Sequence, residues 1–260
     1  MRPLLFHFLG IPVPAWHFFF AVAALAAFFL FRSAMCKSHS GISKKSLSVI
    51  FSAGYFGVIV GATVWSKVIE GSGLYPAGLP AHFAMSSSGG IIGGAICASI
   101  AASFFRIPIA IVGDAAAAPV LLAFAIGRIG CFLNGDDYGV AVLPDLRWLG
   151  VIFPNLHDGG VLRHPVQLYE SAGCLVGIVL SLAVRSKATL RGQPLEAGVI
   201  GSLTLIWYAT LRFMLEDLRD DWRGLPAHFS EVFLFSPPQV LALAMFALGI
   251  FFLLRLKVNE

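Results

Sequence analysis

Long apolar stretches separated by short polar segments dominate this chain of 260 residues. Each stretch holds roughly 17 to 21 residues with almost no charge, and about 20 helical residues cross a hydrocarbon core at a rise of 1.5 Å per residue. We therefore predict an all-α integral membrane protein with about seven transmembrane helices, built as one polytopic domain over residues 1–260. The predicted spans are residues 15–31, 48–65, 86–105, 107–127, 166–184, 197–215 and 237–254.

The first span could instead be a secretory signal peptide, which would be removed from the mature protein. Its apolar stretch is longer than that of a typical signal peptide, and the residues that follow it, Ser33-Ala34-Met35-Cys36, make a poor cleavage site. We interpret this span as a retained helix.

Composition narrows the class of protein. Hydrophobic residues make up 58% of the chain and charged residues only 12%, whereas soluble domains carry about 25% charged residues, which argues against a soluble fold. The net charge of +4 comes without a basic stripe or base-stacking motif, so we predict no nucleic-acid partner. The four cysteines are scattered, and the sequence contains neither a metal-ligand spacing nor a nucleotide-binding glycine motif, so we predict no metal and no cofactor.

Five of the six lysines, with four arginines, lie in segments that share one side of a seven-helix bundle. They are Arg32, Lys37, Lys44 and Lys45 after the first span, Arg185, Lys187 and Arg191 after the fifth, and Arg255 and Lys257 near the C-terminus. Because cytoplasmic loops carry an excess of Lys and Arg, this side is predicted to be cytoplasmic. The N-terminus is then outside and the C-terminus inside.

The outer side carries arginines and a single lysine, Lys67. The arginines are Arg128, Arg147, Arg163, Arg212, Arg219 and Arg223. A guanidinium binds phosphate bidentately, whereas an ammonium acts as a point charge, so this bias indicates a site for an anionic lipid headgroup. For Arg147 and Arg223, which lie in loops, snorkelling at the interface is the simpler explanation. Arg128 and Arg212 lie inside apolar helix ends, where a charge costs on the order of 2.5 kcal/mol or more and usually marks function.

A first polar cluster, GRIGCFLNGDDYG at residues 127–139, ends the fourth span. Its glycines allow the backbone to approach a ligand closely, and its Arg, Asn and two Asp side chains supply donors and acceptors at the interface. Cys131 within this cluster is a candidate nucleophile or acyl acceptor. A small buried residue that fills space is the simpler interpretation of Cys131.

A second cluster, RHPVQLYE at residues 163–170, opens the fifth helix, with Pro165 near its first turn. Helical spacing places His164, Gln167 and Glu170 near one face. The alternative to a binding or catalytic role is that this cluster is only the polar start of a helix, anchored at the interface by Tyr169.

A third cluster, WYATLRFMLEDLRDD at residues 207–221, ends the sixth helix. Arg212 and Glu216 are spaced i, i+4. They either form a structural ion pair, or Glu216 orients Arg212 toward a ligand.

The connection between the fourth and fifth spans, residues 136–165, is long and contains Gly, Pro, Asp and the run RWLGVIF. Connections of this length in compact domains are usually functional. The connection could form short strands or an interfacial arm, and we predict a small non-cytoplasmic arm or head region here.

The three clusters resemble the prolipoprotein diacylglyceryl transferase family over nearly the whole chain. The resemblance is carried by GRIGxFxNG at residues 127–135, RHPxQLYE at 163–170, and RFxxE followed by an arginine at 212–219. Asp114, which lies fourteen residues before Arg128, and Ser236-Pro237-Pro238-Gln239 also match the family.

The chain departs from the family pattern at four polar positions. Ser88 stands before Gly89-Gly90 where the family usually has a histidine, and Cys131 stands where an asparagine is typical. Asp136 replaces a glutamate, and His17 replaces a tyrosine.

The resemblance implies an enzyme of the bacterial cytoplasmic (inner) membrane that moves diacylglyceryl from phosphatidylglycerol to the lipobox cysteine of prolipoprotein signal peptides, which forms a thioether. Its partners would be these substrates and the surrounding membrane lipids. Arg128 and Arg212 would clamp the phosphate, and His17 or His164 would replace the missing histidine as the thiol base. The other implied substrate contacts are Ser88, Gly89, Gly90, Asn134, Asp136, Gly139, Gln167, Tyr169, Glu170, Glu216 and Arg219.

Two other functions stay open from the sequence. The four departures favour a paralogue that keeps the fold but acts on a different acceptor or binds lipid without catalysis. A transporter or receptor would be favoured by inverted repeats or paired broken helices, and the sequence shows neither.

Overall fold

The computed structural model of the protein describes residues 1–38, 42–71, 86–193, 195–220 and 235–258. Within these residues, seven helices are long and apolar enough to cross a membrane. They are α1 (Ala15–Ser38), α2 (Lys44–Gly71), α3 (Ser87–Phe104), α4 (Ile109–Asn134), α5 (Val166–Leu190), α6 (Val199–Glu216) and α7 (Pro237–Val258). The predicted all-α membrane fold with seven spans is therefore confirmed.

Several helices extend beyond the apolar stretches that predicted them. Helix α4 continues past residue 127 to Asn134 and stops where Gly135 adopts a left-handed conformation with φ of 86°. The Gly135 N–H donates to the Cys131 carbonyl, which is how a glycine commonly terminates a helix. Because helical hydrogen bonding continues into the polar interface, the apolar stretch marks only part of the helix. Arg128 consequently lies within α4 and not at its end.

Helix α4 contacts α1, α3, α5 and α6, and α6 in turn packs against α7. Gly130 makes the contact with α1 possible, since a Cβ added there would lie 2.8 Å from the Phe19 Cβ. The part of α4 that carries Arg128 is thus enclosed by neighbouring helices.

Helices α2 and α3 approach each other through glycines. A Cβ at Gly89 would lie 2.2 Å from the Gly61 carbonyl oxygen, and one at Gly57 would lie 2.2 Å from the Gly93 carbonyl oxygen. Small residues four positions apart on both helices allow this close approach in membranes, where packing drives association. Gly89 therefore has a packing role, beside the substrate contact that the resemblance implies.

Asp114 joins α4 to the start of α6. Its carboxylate accepts hydrogen bonds from the backbone N–H groups of Gly198 and Gly201 at 2.8 and 2.7 Å. The first N–H groups of a helix lack intrahelical acceptors and favour a negative charge. Fourteen residues of helix correspond to about 21 Å, so Asp114 anchors α6 far from Arg128.

A β-hairpin that sequence analysis did not predict precedes α1. Its strands are β1 (Leu4–Phe8) and β2 (Ile11–Pro14), which pair antiparallel. The two loop residues, Leu9 and Gly10, both have positive φ values, 49° and 80°. This geometry is typical of the type I′ turn, whose twist matches that of the strands.

Between α4 and α5 the chain forms short elements. Two 3₁₀ turns, Pro144–Leu149 and Pro154–Leu156, flank β3 (Val151–Ile152), which pairs antiparallel with β4 (Leu162–Arg163). Isolated bridges join Gly139 to Arg219 and Ala141 to Arg163. These bridges hold the residues after α4 against the residues before α5 and after α6.

Candidate functional site

Ion-paired side chains from α4, α5, α6 and their flanking loops meet at one end of the bundle. Among the described residues, the network joins three arginines to three carboxylates. Its members are Arg128, Arg212, Arg219, Asp137, Glu170 and Glu216. We call this set the arginine cluster. Its formal charges balance, which lowers the cost of placing so many ions in a largely apolar protein.

Arg128 and Glu170 form the most buried part of the arginine cluster. The Arg128 Nε lies 2.8 Å from Glu170 Oε2 in an ion pair, and Glu170 is 0% exposed. The hydroxyl of Tyr208 on α6 donates to the other oxygen, Oε1, at 3.0 Å. A buried carboxylate is stable only when its oxygens are paired in this way. Glu170 thus holds α4, α5 and α6 together around Arg128.

Asp137 bridges two arginines and is a member of the site that sequence analysis missed. One carboxylate oxygen pairs with Arg128 Nη1, and the other lies 2.7 Å from Arg219 Nη2. Its backbone has a φ of 60°, a left-handed conformation that Asp tolerates better than most residues. In the sequence, the signal that could have identified Asp137 was its position as the second acid of Asp136-Asp137, shortly after Gly135, which terminates α4.

Arg212 has a buried donor that no described residue accepts. Its Nη1 lies 2.5 Å from Glu216 Oε2, one helical turn further along α6. Its Nη2 is buried and, within the described residues, has no hydrogen-bond acceptor. An unsatisfied buried N–H group is costly, so it commonly indicates a ligand site. The i, i+4 ion pair between Arg212 and Glu216 that the sequence predicted is therefore present.

Contacts from the chain segments around α6 and α7 hold Glu216. Its Oε2 lies 3.9 Å from Arg219 Nε, and its Oε1 accepts a hydrogen bond from the Ser236 hydroxyl at 3.3 Å. Gln239, in the first turn of α7, donates to Asp217 Oδ1 at 2.8 Å. The Ser-Pro-Pro-Gln segment noted in the sequence therefore ties α7 to the end of α6 that carries Arg212.

Asn134, Asp136 and Gln167 fix the loop that leads to Asp137. The Asn134 amide donates to Asp136 Oδ2 at 2.8 Å. The Gln167 amide donates to the Asp136 carbonyl oxygen. Gly139 is confined as well, since a Cβ there would lie 2.6 Å from the Leu218 carbonyl oxygen. These four predicted site residues are brought together, and each contact restrains the backbone beside the arginine cluster.

The two candidate base histidines lie in different surroundings. His164 is buried, and its Nδ1 is 3.1 Å from the Tyr169 hydroxyl at the start of α5. His17 is exposed at the start of α1, where its ring meets Trp16 edge-on. Within the described residues His17 makes no hydrogen bond to the arginine cluster, whereas the His164 backbone pairs with Gly139 and Val140 beside it.

Ser88, Gly89 and Gly90 are buried in the first turn of α3. Ile91 packs against the apolar cluster that contains Tyr208, whose hydroxyl reaches Glu170. Residues three apart share a helix face, so Ser88 lies on the face that carries Ile91. The structure therefore directs Ser88 toward the centre of the bundle, while Gly89 contacts α2.

Cys131, Asp136 and Asp137 offer ligand atoms that lie within 4.8 Å of one another, a spacing that a metal ion could bridge. Both oxygens of Asp137 are already paired with arginines. A cation placed among these atoms would also face the positive charges of Arg128 and Arg219. The donor set therefore fits an arginine network better than a metal.

Arg163 holds the loop around the site and is not a member of the arginine cluster. It donates to Asp158 at 2.8 Å, pairs with Asp220, and lies over the Tyr138 ring at 5.2 Å. The hydrogen bond from Arg163 lowers the pKa of the Asp158 carboxyl below its ordinary value. The stabilisation that the Arg163–Asp158 contact gives to the folded protein is therefore complete at neutral pH, and it is lost as the pH falls through that lowered pKa. Arg147 is exposed, and Arg223 lies outside the described residues.

Comparison with known proteins identifies the family. Residues 3–255 match the family described as prolipoprotein diacylglyceryl transferase. This chain belongs to the prolipoprotein diacylglyceryl transferase family. The resemblance noted in the sequence is thus confirmed over almost the full length, and the protein is a transferase with seven membrane-spanning helices.

Curated relatives of the family align along nearly the whole chain. A phosphatidylglycerol–prolipoprotein diacylglyceryl transferase of Staphylococcus aureus (strain Newman) is 28% identical over 268 aligned positions, covering 99% of this chain and 90% of the relative. The protein of the same name from Staphylococcus haemolyticus (strain JCSC1435) is 27% identical over 248 positions, covering 92% of this chain and 82% of the relative. The transferase is therefore a multi-pass membrane protein with bacterial relatives.

Proposed function

We propose that this transferase moves the diacylglyceryl group of phosphatidylglycerol to the lipobox cysteine of prolipoprotein signal peptides. The observation that carries this proposal is the buried Arg212 side chain, whose Nη2 has no acceptor among the described residues. A phosphate oxygen is the acceptor that suits a buried guanidinium best. The family match and the names of the two relatives support the same substrates.

In the proposed reaction, the cysteine sulfur attacks the glycerol carbon that is bonded to the phosphate oxygen. A carbon–sulfur bond forms, the carbon–oxygen bond breaks, and glycerol phosphate leaves with the bonding electron pair. The thiol proton passes to a base. The phosphate changes from a diester with one negative charge to a monoester with two, so charge develops on the leaving group in the transition state.

The arginine cluster suits this change in charge. The Nε and Nη1 groups of Arg128 are paired with Glu170 and Asp137, which leaves Nη2 to face a phosphate. Arg212 has Nη1 on Glu216 and offers Nη2. Donors that are held in place before the reaction stabilise developing charge without a cost of reorganisation. Arg128 and Arg212 are therefore the proposed phosphate clamp, and Glu216 and Arg219 position it.

The remaining predicted contacts are assigned to shaping the headgroup site. Asn134, Asp136, Gly139 and Gln167 hold the loop that presents Asp137. Ser88, Gly90 and Tyr169 are proposed to line the route by which the substrates approach. Glu170 serves the clamp through Arg128, because it is fully buried and already paired.

The proposed orientation in a bacterial cytoplasmic (inner) membrane places the arginine cluster on the outer side. The excess of Lys and Arg in the loop between α1 and α2, in the loop between α5 and α6, and near the C-terminus supports it. The N-terminus is then outside and the C-terminus cytoplasmic. Residues 136–165 form the proposed non-cytoplasmic arm. Outside this arm, residues 1–260 form one membrane domain with membrane lipids around it.

The decisive test is an assay for lipid transfer. The full-length protein is incubated with phosphatidylglycerol and a lipobox peptide, and the peptide mass is measured. We expect the mass of one added diacylglyceryl group, and we expect Arg128→Ala to abolish it. Arg147→Ala is the matched control, because that arginine is exposed in a 3₁₀ turn. An unmodified peptide with folded, lipid-bound protein would refute the proposal and would favour a paralogue with another acceptor.

His164 is the proposed thiol base in preference to His17. It is buried next to the clamp loop, whereas His17 is exposed. We expect His164→Ala to slow peptide modification by about 10²-fold or more, the usual contribution of a general base. His17→Ala should change the rate little. Rates of both variants across pH 6 to 9 check this, and full activity of both would eliminate histidine as the base.

A further inference from the structure

The N-terminal hairpin exposes an apolar surface that no described residue covers. Its tip residues Phe8, Leu9 and Ile11 are 62%, 87% and 66% exposed. The hairpin consists of two strands paired only with each other among the described residues. Such a hairpin is marginally stable in water without a further layer. An apolar environment beside the hairpin would take the exposed side chains out of water and so stabilise the two strands.

The exposed surface of the hairpin continues the lipid-facing surface of α1. Phe18, Val22, Leu25 and Phe29 are exposed along α1, and their spacing of four, three and four residues places them on one helix face. In a spanning helix, an exposed apolar face contacts lipid. Phe6 of β1 meets Phe18 edge-on, with ring centroids 5.9 Å apart. The hairpin therefore extends the lipid-facing stripe past the end of the helix.

Backbone hydrogen bonds fix where the hairpin lies. The Arg2 N–H donates to the Leu133 carbonyl oxygen at 2.9 Å, and the Ala15 N–H donates to the Pro3 carbonyl oxygen at 2.8 Å. The base of the hairpin is thus tied to the end of α4, directly before Asn134. Any surface that holds the hairpin also sets the depth of the loop that carries Asp137.

We propose that the hairpin is a membrane anchor that lies in the interface of the adjacent leaflet, where the tip side chains of residues 8–11 contact acyl chains and the open strand edges still bond to water and headgroups. The lipid surface itself covers the exposed apolar side chains of the hairpin. Arg2, at the base, faces the headgroup layer, where a cation is favourable beside anionic lipids. The anchor holds the arginine cluster at headgroup depth through Leu133. This inference does not depend on the transfer reaction.

The test is the depth of a nitroxide label attached at Phe8→Cys. Cys36 is exposed, so a Cys36→Ser background avoids labelling there. The full chain is placed in nanodiscs that contain phosphatidylglycerol, which leaves both faces accessible. Collision of the label with oxygen, which enriches in lipid, is compared with collision with a water-soluble nickel complex. Phe29→Cys on α1 is the lipid reference, and the exposed loop residue Gln193→Cys is the water reference.

We expect the oxygen accessibility of the Phe8 label to be several-fold above its nickel accessibility, with a ratio nearer to that of the Phe29 label than to that of the Gln193 label. Ile11→Cys on the partner strand should give the same result. A Phe8 label that matches Gln193 would place the tip in water and overturn the proposal. A label that neither reagent reaches would show that protein, such as a second copy of the chain, covers the tip, and this result would overturn it as well.

Discussion

Replacing Arg212 by alanine should lower the kcat/KM for peptide modification by about 10²- to 10³-fold, the usual effect of deleting one donor to a developing oxyanion. Arg212 is 5% exposed and its Nη2 has no acceptor among the described residues. A phosphate oxygen bound there gains charge during the reaction. The loss should therefore be mainly in kcat, because the interaction strengthens in the transition state. Single-turnover peptide modification, followed by mass, measures it.

Arg212→Lys separates charge from geometry. Lysine keeps a positive charge beside Glu216 but lacks the planar fork that binds two oxygens. We expect an activity between those of the alanine variant and the natural protein. The exposed Arg147→Ala again serves as the control. Unchanged kcat/KM in a folded Arg212→Ala protein would contradict the clamp.

Replacing Glu170 by glutamine should lower the free energy of unfolding by about 3 kcal/mol, because removing one partner of a buried ion pair leaves the other charge poorly compensated. Glu170 is 0% exposed and pairs with Arg128, while Tyr208 donates to it from α6. A fall of several degrees in the unfolding temperature in detergent is expected. Glu196→Gln, at an exposed acid before α6, should change it little.

This result would also decide the role of Glu170. A residue that serves the site by holding Arg128 loses stability and activity together when it is replaced. A residue that only contacts substrate raises the KM and leaves unfolding unchanged. Glu170→Gln with natural stability and a raised KM would therefore return Glu170 to the substrate contacts that the sequence suggested.

The C-terminal end of α4 shows which features of a helix the sequence pattern can predict. Apolarity located the helix, but its predicted end at residue 127 fell short of Asn134. Hydropathy measures transfer into hydrocarbon, whereas the helix ends where Gly135 can adopt a positive φ. The hairpin of residues 4–14 was missed for a related reason. Its apolar run is too short to span a membrane, and Leu9 is an unusual residue for a turn with positive φ.

The site could be predicted in part. Arg128, Arg212 and Glu216 were found because charges inside apolar helix ends are costly and because i, i+4 neighbours on a helix must meet. Asp137 was not singled out from Asp136, since adjacent acids look alike in a sequence. In the structure Asp137 has a left-handed backbone, and it is the Asp137 carboxylate that meets Arg128 and Arg219.

The sequence by itself determined the seven spans, the family and the candidate arginines for a phosphate site, because hydropathy, motif spacing and charge are local properties of the chain. The tertiary structure alone decided which charges pair between different elements. Arg128 meets Glu170 across α4 and α5, and Arg219 meets Asp137 across two loops. Contacts between residues so distant in the chain depend on helix packing, which brings them together and leaves Arg212 with a donor to spare.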